Sequence, residues 1–486
     1  MTFADGLVIE VLRARVRAGD GDRPALFDET ASLTYRELAS AVERRARELR
    51  ADGVAEGSRL AVVARNDIPS VVVFAAANAL GAAVLMLHER MSDAERRAAV
   101  SGFGADLVAD PADGSGAPRP VEPGAGVDAV LRDGPALALT TSGTQGRPKI
   151  VQRRWAGSMA NSHAYALALG LTPADRVITT SPLNHSYGLE AGVLAAFAVG
   201  AGHVIPPVPT APARLTALVE RAGCTVLQTV PALYRWYGQS GVPRLRDWKR
   251  CVSAGDALPA ETADQWAREG APLWNHYGAT EIGQITAGPA DPPGAVGEPV
   301  PGVAVRAESA GAAAPLLVRC PGPDPVQVID GRAVPLTDTD GWVPMGDLGH
   351  VDDGGRVHLS GRRGSLVNIA GNKVDPAEVE RAARPHPGVR DCAVVGVPGT
   401  DGVTRLYAFV EVQPGPTAFD PAALRRRLRR ELGPAKVPAV IRPVAELPRT
   451  GTGKIRRWLL TEPADSPGSP SAGPFTAPST STEDDR

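Results

Sequence analysis

The chain has 486 residues, 43% of them hydrophobic and 22% charged, and a formal net charge of -2. That length accommodates roughly three average domains, or one large composite domain and a small one. Balanced charge excludes a basic nucleic-acid footprint or a polybasic membrane face as the organising feature, so neither nucleic acid nor membrane is expected as a partner. Cys224, Cys251, Cys320 and Cys392 are far apart and form no C-x-x-C pair, which suits buried structural thiols in a reducing cytoplasm. No basic segment with an apolar core and cleavage site opens the chain, so a cytoplasmic rather than secreted protein is expected.

Helical and strand patterns alternate through most of the sequence. Thr34-Tyr35-Arg36-Glu37 is a capping box that opens a helix with Leu38, Val42 and Leu49 on one face, followed by a strand from Arg59 to Arg65. The apolar run Val71 to Leu87, interrupted by Asn78 and Gly81, reads as a buried helix running into a buried strand. Ser92 to Glu95 repeats the capping device, and the Pro/Gly-rich residues 111–126 read as a surface loop. Apolar runs at Arg176–Thr180, His203–Pro206, Thr225–Thr229 and Cys251–Ser253 alternate with helical segments, the pattern of β-α units in buried sheets. The large region is therefore α/β.

From about residue 361 the pattern changes. Leu366–Ile369 reads as a strand, Asp375-Pro376-Ala377-Glu378 as a helix start, Cys392–Val397 and Leu406–Val412 as strands, and Pro421–Leu432 as a helix. This is a small α+β domain of about 100 residues. Within its last helix, the run Arg425 to Arg430 reads as a solvated face. Residues 461–486 are rich in Pro, Ser and Thr and read as a disordered tail.

The most informative stretch is Thr141-Ser142-Gly143-Thr144-Gln145-Gly146-Arg147-Pro148-Lys149, directly after the strand-like run Ala136 to Leu139. Hydroxyls, backbone N–H groups and a lysine in such a loop can wrap a phosphate. The common phosphate-loop pattern is excluded, because Gly143 and Gly146 are too close and Lys149 is followed by Ile150. Gly453-Lys454-Ile455 also lacks the Ser/Thr that this pattern requires.

Five further segments follow in fixed order: Ser253 to Pro259, Asn275-His276-Tyr277-Gly278-Ala279-Thr280-Glu281, Gly346-Asp347-Leu348, Gly361-Arg362-Arg363 through Gly371-Asn372-Lys373-Val374, and Pro448 through Arg456. Together with the loop they closely resemble the adenylate-forming superfamily of acyl-CoA synthetases, nonribosomal-peptide adenylation domains and beetle luciferases. The resemblance covers roughly residues 20–460. It implies a large N-terminal α/β domain over residues 1–361 that binds ATP and the acid, and a hinge at 362–365. It also implies a small mobile α+β domain over 366–460 that carries the catalytic lysine.

The implied activity is ATP-dependent, AMP-forming activation of a carboxylic acid to an acyl-adenylate, followed by transfer to a thiol, with ATP, Mg2+ and coenzyme A as cofactors. Catalysis must then neutralise the repulsion between a carboxylate and a polyphosphate. On the matching positions, Thr141, Ser142, Gly143, Thr144, Gly146 and Lys149 hold the phosphates. Glu281, with Thr144, anchors magnesium, and Thr280 bonds the α-phosphate. Tyr277 offers its ring to adenine opposite Gly255-Asp256-Ala257, with Asn275 and Gly278 beside it. Asp347 and Arg362 receive the ribose, and Lys454 bridges carboxylate and nucleotide in the transition state. Gly371 belongs to the thiol-transfer loop.

Pro182-Leu183-Asn184-His185-Ser186-Tyr187-Gly188 looks like the acid-pocket segment of acyl- and aryl-CoA synthetases, with His185 at the carboxylate site and Ser186 and Gly188 beside it. Amino-acid-activating relatives place an aspartate about where Ser186 lies. An unpartnered buried ammonium is costly, so an α-amino acid is disfavoured. The chain departs from the family at Gln145, Ile150, Asn368 and the hinge residue Gly364, whose conformational freedom still permits rotation. Alternatives to coenzyme A are an external carrier protein or an amine as acceptor, and, outside catalysis, a nucleotide-binding relative.

Overall fold

The computed structural model describes residues 7–112, 117–121, 136–141, 149–240, 248–292, 294–309, 314–320, 325–329, 332–362, 367–369, 372–398, 404–413, 419–432, 436–449 and 455–460. The chain divides into two compact units, one from Met1–Arg363 and one whose body is Gly364–Thr450 with the chain from Ile455.

The first unit holds three sheets among the described residues. In the middle of an eight-stranded sheet, Arg59–Ala64 and Ala83–His88 run parallel, flanked by Leu107–Ala109 and Ala136–Thr141. Every position of Arg59–Ala64 is buried, as expected of a parallel strand covered on both faces. Helix Tyr35–Ala51 starts at the predicted capping box and buries Leu38, Val42 and Leu49. Ile68–Ala79 follows as a nearly all-buried helix capped by Asp67, and leads into the strand Ala83–His88. Asn78, the polar break in that apolar run, is buried and accepts the Val8 N–H at 2.7 Å.

The nine-stranded sheet has a parallel centre in which Gly202–Val204, Arg176–Thr179, Val226–Thr229, Arg250–Ala254 and Leu273–Ala279 are successive neighbours. Gly283–Pro289 closes back antiparallel on Leu273–Ala279. A four-stranded antiparallel sheet runs Ala304–Ala307, Ala314–Arg319, Val343–Val351, Val357–Arg362. Two expectations need correction. Within residues 111–126, Arg119–Pro120 is not loop but a short strand on Leu107–Ala109, and Cys320 is only half-buried, while Cys224, Cys251 and Cys392 are buried.

In the second unit, strands Val389–Pro398, Thr404–Val412 and Val440–Val444 form one sheet, and Val367–Ile369 pairs with Asn372–Val374. Helix Pro376–Ala383 begins where predicted, with Asp375 accepting the Ala377 N–H at 2.9 Å. In helix Pro421–Glu431, Leu424 and Leu428 enter the core and Arg426, Arg429 and Arg430 are exposed, one stripe in and one out. Among the described residues no helix is long and apolar enough to cross a membrane. The tail over 461–486 lies outside the described residues.

Candidate active site

Three predicted segments leave the carboxyl ends of parallel strands of the nine-stranded sheet. Arg176–Thr179 leads into Pro182–Gly188, Arg250–Ala254 into Gly255–Ala257, and Leu273–Ala279 into the turn Thr280–Ile282. Ligands of open α/β sheets bind outside this edge, so the topology gathers the predicted acid, adenine and metal residues on one side of one sheet.

Gly255 turns the chain out of its strand with φ +87°, a conformation that favours glycine, and Asp256 folds back to accept the Ala257 N–H at 2.8 Å. Asn275 is buried and donates an amide N–H to the Ala295 carbonyl at 3.0 Å, which ties it to a neighbouring loop. Tyr277 is 7% exposed and packs among Ile282, Ile285, Val296 and Leu316. Its hydroxyl donates to an Asp347 carboxylate oxygen at 2.7 Å, tying the nine-stranded sheet to the four-stranded one. Asp347 in turn faces Arg362 across the antiparallel strand pair. Of the predicted adenine and ribose residues, Tyr277 and Asp347 are thus brought together.

Thr141 and Lys149 are direct partners across the antiparallel pair Ala136–Thr141 and Lys149–Arg154, which fixes both ends of the phosphate loop. Ser142, Gly143, Thr144 and Gly146 lie outside the described residues, as do Gly364, Gly371 and Lys454. Ile150 stands where glycine is frequent in the resembling enzymes. Its side chain is 2% exposed and joins the core beside Phe103 and Val328, a packing reason for that departure.

Glu281 sits half-exposed in its turn, and its carboxylate has no hydrogen-bond or ion-pair partner among the described residues. No cluster of three or more metal-ligating side chains occurs among them. A single available carboxylate at a phosphate site fits magnesium, which takes one or two protein carboxylates and completes its shell with phosphate oxygens and water.

In the acid segment, His185 is half-buried, its N–H donates to the Pro182 carbonyl at 3.0 Å, and a π-helical turn over Leu189–Leu194 follows. Gly188 is required sterically. A Cβ there would lie 2.2 Å from the Pro182 carbonyl oxygen and 2.7 Å from that of Ser181. Because both obstacles are backbone, Gly188→Ala is expected to cost about 1–3 kcal/mol and to displace the segment carrying His185. A thermal midpoint equal to that of the unmodified protein would refute this packing.

Several residues packed around the acid segment were not legible as motifs. Arg153 and Glu190, 7% and 0% exposed at their side chains, form a buried ion pair, and Ser186 Oγ donates to Glu190 at 2.6 Å. Gln284 Nε2 donates to Ser186 Oγ at 3.2 Å. His276 stacks on Tyr187 at 5.4 Å and lies 4.8 Å from Tyr165. Burial pulls the His276 pKa down to about 4. It is therefore neutral, and Nδ1 must carry the proton, because the Thr286 carbonyl at 2.8 Å can only accept. The one sequence signal for this network was a lone acid, Glu190, inside the apolar run Leu189 to Val199.

The family model for AMP-binding enzymes matches residues 12–121 and 110–316, and that for the AMP-binding enzyme C-terminal domain matches 378–454. The chain belongs to the AMP-binding enzyme family. A 3-hydroxybenzoate–CoA ligase of Aromatoleum sp. is 28% identical, covering 93% of this chain and 96% of its own length. A 2-succinylbenzoate–CoA ligase of Geobacillus kaustophilus is 30% identical over 90% and 94%. Among solved structures, a benzoate CoA ligase from Burkholderia xenovorans LB400 superposes with a TM-score of 0.77 at 25% identity, covering 94% of this chain and 99% of that one. This AMP-binding enzyme is an AMP-forming acid–thiol ligase.

Proposed function

We propose that the enzyme activates an aromatic carboxylic acid and transfers it to coenzyme A in the cytoplasm. The observation that carries this reading is the charge-compensated corner beside Ser186, where Glu190 is paired with Arg153 and where Tyr187, Tyr165 and neutral His276 pack on one another. Such surroundings offer no net negative charge to a substrate ammonium and suit a flat, uncharged body. The benzoate-type acids of the relatives named above agree with it.

In the first step a carboxylate oxygen attacks the α-phosphorus of ATP and pyrophosphate leaves. In the second, the sulfur of coenzyme A attacks the acyl carbon, its proton is lost, and AMP leaves. Thr280, Glu281 and the loop Thr141–Lys149 would hold the phosphates and the cation, His185 the acid carboxylate, and Asp347 with Arg362 the ribose. Bound magnesium supplies charge neutralisation across the phosphate oxygens. Lys454 would place its ammonium between acid and nucleotide. Residues 1–361 would form the ATP- and acid-binding domain, 362–365 a hinge pivoting at Gly364, and 366–460 the domain presenting Lys454 and the Gly371 loop.

The test is incubation with ATP, Mg2+ and a panel of benzoates, alkanoates and amino acids, with and without coenzyme A, read by mass spectrometry. Aroyl-CoA and AMP from a benzoate are expected. Exclusive use of alkanoates or amino acids, or an adenylate that accumulates whether or not coenzyme A is present, would overturn the proposal.

A further inference from the structure

The Arg153–Glu190 pair lies outside every motif that marks the reaction, yet it touches both substrate sides. Arg153 Nη1 donates to the Ile282 carbonyl at 3.0 Å, one residue beyond Glu281. Arg153 Nη2 pairs with Glu190 Oε2. That same oxygen accepts the Ser186 hydroxyl at 2.6 Å, one residue beyond His185.

The Glu281 turn is also fastened from the other side. Asn161 donates to the Gln284 carbonyl at 2.8 Å and accepts the Gln284 N–H at 2.7 Å. Between these two anchors Gly283 has φ +99°, and a Cβ on it would lie 2.4 Å from Asn161 Oδ1 and 2.9 Å from Arg153 Nη1. The turn is therefore gripped by a guanidinium and an amide at a separation that admits only glycine.

A buried ion pair is a poor device for stability alone, since apolar side chains of similar volume commonly do as well or better. What an apolar pair lacks is the planar fork of arginine, which reaches two acceptors at a fixed angle. Here one acceptor belongs to the metal turn and the other is Glu190, which holds Ser186 of the acid segment.

We propose that Arg153 and Glu190 are positioning residues for adenylation, setting the Glu281 carboxylate at a fixed place relative to the acid segment. This inference rests on the assignment of Glu281 to magnesium. It makes the spacing between MgATP and the acid a property of one buried contact rather than of the two loops separately.

The double variant R153M/E190Q tests it, because no charge is left buried alone and the fold is expected to persist. Arg153→Lys, which keeps the charge but loses the fork, serves as the second variant, and Glu281→Gln as the reference. Three quantities are read: the thermal midpoint, the calorimetric affinity for ATP with and without Mg2+ in the absence of acid, and kcat and KM for the acid that the panel identifies.

The double variant should keep its midpoint, lose most of the gain in ATP affinity that Mg2+ confers, and fall in kcat by about tenfold or more, since a misplacement near 1 Å can cost 10²-fold. Arg153→Lys should show the same loss of the Mg2+ gain. Retained Mg2+ gain and kcat in both variants would reduce the pair to packing and overturn the inference. Retained Mg2+ gain in Glu281→Gln would instead overturn the assignment of Glu281, and the inference with it.

Discussion

Replacing Lys454 by alanine is expected to lower ATP–pyrophosphate exchange by about 10²–10³-fold, the usual loss when one preorganised charge is removed from a transition state. The acid carboxylate and the α-phosphate are both anionic, and no other cation in the motif Pro448 through Arg456 occupies the position that the resemblance gives to this lysine. The substitution should leave the fold intact. Lys454 lies outside the described residues, but both of its flanks are anchored within the second unit by other arginines. Arg449 pairs with Asp391 at 2.7 Å and Glu411 at 3.3 Å, and Arg457 pairs with the buried Glu380 at 2.8 Å. Arg449 and Ile455 also bridge each other as antiparallel partners. ATP affinity and the thermal midpoint should therefore survive in Lys454→Ala. Undiminished exchange would remove Lys454 from the mechanism.

Acid should destabilise the first unit well before its carboxylates protonate. Burial pulls the pKa of His276 down to about 4 and that of His203 down to about 3, from an ordinary 6.5. A folded-state value below the unfolded one means that the unfolded chain binds more protons between the two. The stabilisation is thus complete above pH 6.5 and is lost as pH falls toward 4 for His276 and toward 3 for His203. At about 1.4 kcal/mol per pKa unit, each histidine contributes on the order of 3–5 kcal/mol. Urea titrations between pH 7 and pH 4.5 should show falling stability, with a shallower slope in His276→Gln. Equal slopes in the two proteins would show that His276 is not buried in its neutral form.

The elements that the sequence made legible are those in which one local rule acts alone. Thr34 and Glu37 cap each other whatever lies above them, and Asp375 before Pro376 starts a helix for reasons confined to one turn. The order of motifs assigned Tyr277 and Asp347 to one nucleotide, and the structure joins them by a hydrogen bond that spans 70 residues. Arg153 and Glu190 escaped notice because their partnership depends on register. Only when Arg153 faces Leu137 in the antiparallel pair, and the acid segment folds over a glycine, does the guanidinium meet its carboxylate. Asn275 shows what a motif leaves out: its spacing says nothing of the bond its amide donates to the Ala295 carbonyl, which depends on the fold.

The eight-stranded sheet has a consequence for biosynthesis. Its strand Lys149–Arg154 is completed by Val326–Ile329, which pairs with it from far along the chain. At typical rates of elongation, roughly ten to thirty seconds separate the emergence of these two strands from the ribosome. Throughout that interval Ile150, Val151 and Gln152 present unpaired backbone groups on an open edge, the geometry that recruits a foreign strand. The nascent enzyme thus carries an aggregation hazard directly after the Thr141–Lys149 loop, and a chain truncated before residue 326 would carry it permanently.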